Sequence, residues 1–394
     1  MKTMTFIAVF SFAIHQLPLF GQDGNKEIIE RRMEGHIFRP KQLLPTPENI
    51  ASLKLPPGFT IEKFAEGLGK SRMLAVAANG SVYVTDRDHG TLTLLQDQDQ
   101  DGKADVVRIL TKKDQLHGIA VDGDNLYLIT VNELYKTTIH PDGNIDSLQL
   151  LVDDLPDGGQ HGNRTLKVGP DNALYVSVGS TCNACVETNK ENATMLKVSL
   201  DGSQRATYAT GLRNTIGFDW HPQTGDLWGF DHGIDWLGND EQQEELNKIE
   251  EGQDYGWPFV YGDGQFEVHH DPKGMTHEEY AAKSVKPTLL YDAHAAPMDL
   301  LFYTGDQFPE EFSGDAFVTM HGSWNRAEPS GYKVVRIRYE NGHPTRVEDF
   351  ITGFLTDDKK GQFARVCGLA QYTDGSLLIA DDAHGVIYRV RFGK

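Results

Sequence analysis

Only three of the 394 residues are cysteine: Cys182, Cys185 and Cys367. One CxxC pair with no second pair to complete it argues against a four-cysteine zinc site, and no His follows Cys185, which excludes covalent haem attachment through that motif. Cys182 and Cys185 read first as a local disulfide that stiffens a loop and second as a redox-active pair. Cys367 reads as a small buried apolar residue. Positive charge is also scarce. The 37 Lys and Arg against 57 Asp and Glu give a net charge of −20, which repels phosphate backbones and anionic lipid surfaces and removes nucleic acid from the expected partners.

Long apolar runs are missing. The stretch from Phe6 to Ile14 is too short for a membrane span and is followed by His15, Gln16 and Pro18. With Lys2 ahead of it and Leu19, Phe20 and Gly21 behind, residues 1–21 read as an export signal, so the mature protein is expected in the periplasm or outside the cell. No stable membrane insertion is expected. Residues 22–50, charged and punctuated by Pro, read as a leader laid on the surface.

What is present is a repeat. An apolar run, a Gly/Asp/Asn turn and a second β-rich run recur with turns at Asn79-Gly80, Gly123-Asp124, Asp171-Asn172, Thr224-Gly225, Gly314-Asp315 and Asp374-Gly375. The spacing is roughly 44 to 60 residues apart from one longer gap, close to the one-blade period of a propeller. The expected fold is therefore all-β, a six-bladed β-propeller over residues 51–394, low in helix. The long gap is expected to hold an insert at about 239–290, rich in Glu, Gln and His.

The repeat also locates the chemistry. In a hairpin, the residues before the first strand and after the second share one face. Arg72, His117, His161 with Arg164, Arg213 with Asn214, His294 and Arg365 occupy the first kind of position. Asp86-Arg87, Asn132, Ser180, Asp231-His232, His321 and Asp381-Asp382 occupy the second. All are expected to ring one mouth of the central channel. Several Arg and His gathered at one mouth of an acidic chain point to an anionic ligand. A neutral His161 there can take a proton from an alcohol, and Arg213 with Asn214 can stabilise charge developing on an acceptor carbonyl.

Seven ordered segments carry a family likeness: His161 ahead of Gly169-Pro170-Asp171; Gly211-Leu-Arg213-Asn214; Asp231-His-Gly-Ile-Asp235 with Asp240 and Glu245-Leu-Asn247; Tyr255-Gly-Trp-Pro258; His294-Ala-Ala-Pro297; His321-Gly-Ser-Trp-Asn325-Arg326; and Arg365. Over roughly residues 50–394 the chain resembles the soluble PQQ-dependent glucose/sorbosone dehydrogenases, most closely their sorbosone dehydrogenase-like branch. The resemblance implies a six-bladed propeller, PQQ and Ca2+ as cofactors, an aldose or sugar-derived aldehyde as substrate, and a separate electron acceptor. It implies His161 as the base, Arg213 beside the reactive quinone carbonyl, and Asn214, His117, His294, Arg326 and Arg365 in the cofactor pocket. The carbonyls of Gly233 and Ile234 match positions that hold calcium in that family, and oxygen donors suit this hard cation.

The pattern departs at two positions. Ser180 stands where the glucose-oxidising enzymes carry an Asp that orients the His, and Ile216 stands where a Gln usually follows the Arg-Asn pair. Two further readings therefore stay open. One is a metal-dependent propeller lactonase or other hydrolase, drawing on Asp86, Asp231, Asp381 and Asp382. The other is a non-catalytic ligand-binding propeller.

A second calcium candidate is separate from these motifs. Asp97, Asp99, Asp101 and Asp105 stand at relative positions 1, 3, 5 and 9 of a calcium loop with Gly102 at 6, but Arg108 replaces the Glu of position 12. A structural calcium and a solvated acidic turn both fit. Trp236, Trp257 and Trp324 can stack on a sugar ring or pack between blades.

Overall fold

The computed structural model describes residues 34–267 and 269–393. The stretch read as an export signal lies outside them. Six four-stranded antiparallel sheets form the body of the fold. Their innermost strands are Ser71–Val76, Gly118–Asp122, Thr165–Val168, Thr215–Trp220, Pro297–Phe302 and Val366–Gln371. Neighbouring inner strands pack against each other all the way round the ring. Each of the six turns read from the sequence joins an inner strand to the second strand of its blade. The fold is the expected six-bladed β-propeller, and among the described residues helix is confined to Pro47–Ala51, His277–Ala281 and one short 3-10 turn.

The ring closes by borrowing a strand. The last blade takes Val366–Gln371, Leu377–Asp381 and Val386–Phe392 from the end of the chain and Phe59–Ala65 from its beginning, paired from Phe59 with Phe392 to Ala65 with Ile387. Phe59 anchors the graft, edge-on to Phe308, Phe312, Phe350 and Phe392 at centroid distances of 4.8 to 5.1 Å. Burying such a ring contributes about 2–3 kcal/mol.

The interruption of the fourth blade is shorter than the sequence suggested. Glu244–Lys248 is the third strand of that blade and Leu289–Tyr291 its fourth. Only the residues between them leave the propeller, as the hairpin of Val260–Tyr261 with Gln265–Phe266 and the helix His277–Ala281. The strand was hidden because it begins Glu-Glu. Both carboxylates are buried and satisfied by backbone donors, Glu244 by Gly233 and Ala296 and Glu245 by Gly262. Ahead of the propeller, Lys41–Gln42 pairs in parallel with Gly361–Gln362, and Thr46 caps the helix that follows.

Strand pairing sets one face. Ser71 pairs with Asp86, Thr215 with Asp231 and Val366 with Asp381, so inner-strand starts and second-strand ends lie side by side. Beneath that face the channel is filled. Leu74, Ile216, Met298, Cys367 and Ala370 belong to one buried cluster, and the channel narrows to a cavity of about 30 Å³ between Leu74, Thr165, Ile216 and Leu369.

Candidate active site

The loops at this face are held by a device repeated in three blades. Asp231 accepts from the amides of Arg213 at 2.8 Å and Asn214 at 2.7 Å and from the Thr215 hydroxyl at 2.8 Å. Asp381 accepts from the Arg365 amide at 2.8 Å, and Asp86 from the Lys70 amide at 2.9 Å. The Asp that ends each second strand therefore ties down the segment entering the inner strand. Among the described residues none of these carboxylates belongs to a cluster of three or more converging metal-ligating side chains, so they do not form the set a hydrolytic metal needs.

Arg213, itself buried, is aimed by the loop that the disulfide closes. Cys182 and Cys185 are joined as expected. Between them Asn183 takes Arg213 Nε on its carbonyl oxygen and Nη2 on Oδ1, both at 2.8 Å, while Nη1 donates to the His232 carbonyl at 3.2 Å. Burial lowers the guanidinium's pKa, and Asp235, Asp231 and Glu244 oppose that shift.

His161 has a defined tautomer. Its Nδ1 lies 2.9 Å from the Ser180 carbonyl oxygen and 2.8 Å from Ser180 Oγ, which itself donates to the Cys182 carbonyl at 2.8 Å. A carbonyl only accepts, so Nδ1 carries the proton and Nε2 keeps its lone pair. Ser180 thus orients the ring at the position where the related pattern has Asp. Burial and then Arg213 push the imidazole pKa down to about 3, so it is neutral at ordinary pH.

Around this pair lies a cationic field. Arg72 pairs with Asp382 and donates Nε to His117 Nε2 at 3.4 Å. Asp382 accepts from His321 Nε2 at 2.9 Å, and Arg365 donates to the carbonyls of His321 at 3.3 Å and Gly322 at 2.8 Å. Burial lowers the pKa of His117 to about 3 and of His232 and His321 to about 4, and in each case a nearby arginine pushes the same way: Arg72, Arg213 and Arg365 respectively. Burial is the main cause in all four histidines and an arginine adds to it, so Arg72, Arg213 and Arg365 are the cationic groups that an anion at this face would meet.

The remaining sequence candidates divide. His117 is fully buried with both ring nitrogens engaged, Nδ1 by the Arg164 carbonyl at 2.9 Å, so it supports Arg72. His294 donates Nε2 to the Gly238 carbonyl at 2.9 Å and accepts from Asn325 at 3.3 Å. Asn325 also reaches Asp235 at 2.6 Å, which stands 3.9 Å from Arg213, so His294 is connected to the arginine through two residues. Arg326 donates to Asp240 at 3.1 Å and to the Ala293 carbonyl at 3.2 Å, while its buried Nε has no hydrogen-bond partner among the described residues. The amides of Gly233 and Ile234 donate to Glu244 and Gln242 at 3.0 Å each. Among the described residues no donor reaches either carbonyl oxygen, which fits their use by a hard cation. Trp257 is buried against Ala193 and Ile234. Trp236 and Trp324 meet edge-on at 5.0 Å, with Gly35 close against the Trp236 ring.

Asp97, Asp99, Asp101 and Asp105 are elsewhere. Thr91 pairs with Asp86 at the mouth, so the far end of the strand Thr91–Gln96 delivers this loop to the opposite face. Three of the carboxylates, those of Asp97, Asp99 and Asp105, converge; Asp101 is not in the group and accepts from the Lys103 amide at 2.8 Å. Asn183 was not singled out by sequence, although its place between the two cysteines was the available signal. Arg72, His232, His321 and Asp382 were read as mouth residues without an individual role.

The fold is that of the PQQ-dependent dehydrogenase propellers, and its relatives place the chain in the PQQ-dependent soluble sugar dehydrogenase superfamily. Residues 53–392 match the TrAA12-like family model, and the chain belongs to that family. It is 26% identical to a pyrroloquinoline quinone-dependent sugar dehydrogenase of Hypocrea jecorina, over 84% of this chain and 87% of that one. It is 29% identical to a protein of Borreliella burgdorferi, over 88% and 93%. The fold superposes on the calcium structure of the Trichoderma reesei family AA12 enzyme with a TM-score of 0.77 at 22% identity, covering 90% of this chain and 99% of the other. For the holo form of the pyranose dehydrogenase PQQ domain from Coprinopsis cinerea the TM-score is 0.74 at 22% identity, covering 90% and 100%.

Proposed function

We propose that this protein is an exported quinoprotein dehydrogenase that oxidises an aldose or sugar-derived aldehyde of the glucose/sorbosone type and passes electrons to a separate acceptor. The observation that carries the reading is the pairing of a lone-pair-bearing His161 Nε2 with the cationic field around Arg213. Bound PQQ would supply a carbonyl-type acceptor for a hydride. Arg213 would stand beside that carbonyl with Asn214 as its neighbour, and Arg365 and Arg72 would hold the cofactor's carboxylates electrostatically. The carbonyls of Gly233 and Ile234 would hold Ca2+.

Oxidation of a CH–OH group releases a hydride from carbon and a proton from oxygen, and His161 Nε2 accepts the proton. Ser180 fixes the ring so that this nitrogen, and not Nδ1, is presented. The Cys182–Cys185 disulfide accords with an oxidising compartment. The hydrolase reading is weakened because, among the described residues, Asp86, Asp231, Asp381 and Asp382 belong to no cluster of three or more converging metal-ligating side chains.

The test is a spectroscopic titration of the mature protein with PQQ in excess calcium, followed by turnover with aldoses and an artificial acceptor. Arg213→Ala is expected to abolish quinone-dependent turnover, whereas His161→Ala is expected to cut turnover far more than PQQ affinity. Tight PQQ binding without turnover on any sugar would favour the ligand-binding reading, and lactone hydrolysis without quinone would favour the hydrolase.

A further inference from the structure

The loop of residues 97–105 on the face opposite the mouth is anchored in a way its internal hydrogen bonds leave incomplete. Asp97 Oδ2 accepts from the Gly102 amide at 3.0 Å, Asp99 Oδ1 from the Asp101 amide at 3.2 Å, and Asp105 Oδ2 from the amides of Gln98 at 2.8 Å and Asp99 at 3.2 Å. One oxygen of each carboxylate is thus fixed by backbone, and the other is left over. Ligand oxygens of the three side chains lie within 4.8 Å of one another. The decisive atom is Asp97 Oδ1. The Asp97 side chain is only 4% exposed, and this oxygen is buried with no hydrogen-bond partner among the described residues. A buried anionic oxygen without a donor is costly, and three carboxylates at this spacing repel.

Protein cations do not resolve this. Arg389 reaches Asp97 at 3.4 Å but is shared with Asp374 at 2.7 Å. Among the described residues, Asp99 and Asp105 have no ion-pair partner. Three acidic oxygens converging on a turn that Gly102 makes at φ +96° are the donor set of a hard divalent cation.

The location gives the site a purpose. The loop belongs to the first blade, yet Ala104 donates its amide to the Phe64 carbonyl at 2.8 Å, Asp97 meets Arg389, and the Arg391 guanidinium lies against Gly102. Phe64 is in the grafted strand Phe59–Ala65, and Arg389 and Arg391 are in its partner Val386–Phe392. We propose that Asp97, Asp99 and Asp105 bind one Ca2+ that clamps the first blade to the last where the ring closes, a structural site distinct from the cofactor mouth.

The experiment uses the full mature protein, stripped with chelator and free of PQQ, titrated with CaCl2 by calorimetry and followed by thermal unfolding. Calcium at 100-fold over its Kd is expected to raise Tm by ~5 °C, with magnesium at the same concentration giving a much smaller shift. Asp99→Asn and Asp105→Asn, both exposed and so compatible with folding, are expected to lower the calcium stoichiometry by one and remove the Tm shift. Terbium luminescence supplies a second readout of the same loss. An unchanged stoichiometry in both variants, or a wild-type Tm indifferent to calcium, would overturn the site whatever the outcome with PQQ.

Discussion

Arg213 and Asn183 are joined twice, guanidinium Nε to the backbone carbonyl and Nη2 to the side-chain oxygen, at 2.8 Å each. Asn183 also accepts the Asp235 amide at 2.9 Å and sits inside the ring closed by Cys182 and Cys185. The disulfide therefore holds the hand that holds the arginine.

Replacing Asn183 with Ala removes one of the two bonds and frees the loop. A hydrogen bond to a charged group contributes about 1.5–3 kcal/mol, so kcat/KM for PQQ-dependent oxidation is expected to fall about 10- to 100-fold. Reduction of the disulfide in the wild type is expected to move turnover in the same direction. Steady-state kinetics on both would decide the point, and wild-type rates in Asn183→Ala would mean that the backbone carbonyl of residue 183, His232 and the Asp231 clamp suffice to position Arg213.

Ser180 sets the pH response. The neutral form of His161 is the base, and neutral His exists above its pKa, so a pKa pushed down to about 3 places the acid limb of turnover below the working range. Ser180→Asp would put a carboxylate against Nδ1, favour imidazolium and raise that pKa. The profile of kcat against pH is then expected to acquire an acid limb at higher pH than in the wild type, with a stronger base on its alkaline side. A profile identical in both proteins would show that His161 is not the titrating base.

The blades were legible because each hairpin turn carries its own Gly, Asn or Asp, and the mouth because hairpin geometry sends strand starts and strand ends to one side. What escaped has a common cause: long-range pairing. Phe59–Ala65 closes the last blade from more than three hundred residues away in sequence, and no local pattern says so. Glu244 and Glu245 sit in a buried strand because amides from distant loops satisfy them. Asp101 shares its spacing with the converging aspartates, yet turns to the Lys103 amide. His117 and His294 were legible as residues of the face, but their ring nitrogens are engaged by partners that spacing does not reveal.

Asp382 links two blades at the mouth. Burial pushes its carboxyl pKa up, but His321 and Arg72 outweigh that and hold it well below the ordinary range. A carboxylate with a depressed native pKa stabilises the fold fully above its unfolded value near 4, and the contribution is lost as pH falls below it. Asp382→Asn leaves Arg72 without its counter-ion and is expected to cost about 3–5 kcal/mol at pH 7. Urea unfolding at a series of pH values checks this, with the gap between variant and wild type narrowing as pH falls toward 3. A gap that stays constant with pH would mean that the loss arises from packing and not from the ion pair.

Ile216 follows the Arg213-Asn214 pair by two positions but does not face the mouth as a polar residue there would. Only 3% exposed, it belongs to the apolar cluster that fills the channel with Met298 and Cys367, and its carbonyl accepts the Thr165 hydroxyl at 2.6 Å. Ile216→Gln, which places here the residue type of the related pattern, would bury an amide with no donor or acceptor set for it. A stability loss of about 1–3 kcal/mol is expected, with no gain in PQQ affinity or sugar turnover. Denaturant unfolding beside PQQ titration of the variant measures both. A variant as stable as the wild type with raised turnover would mean that the side chain reaches the ligand after all, and that the channel plug yields at this position to make room for a polar contact.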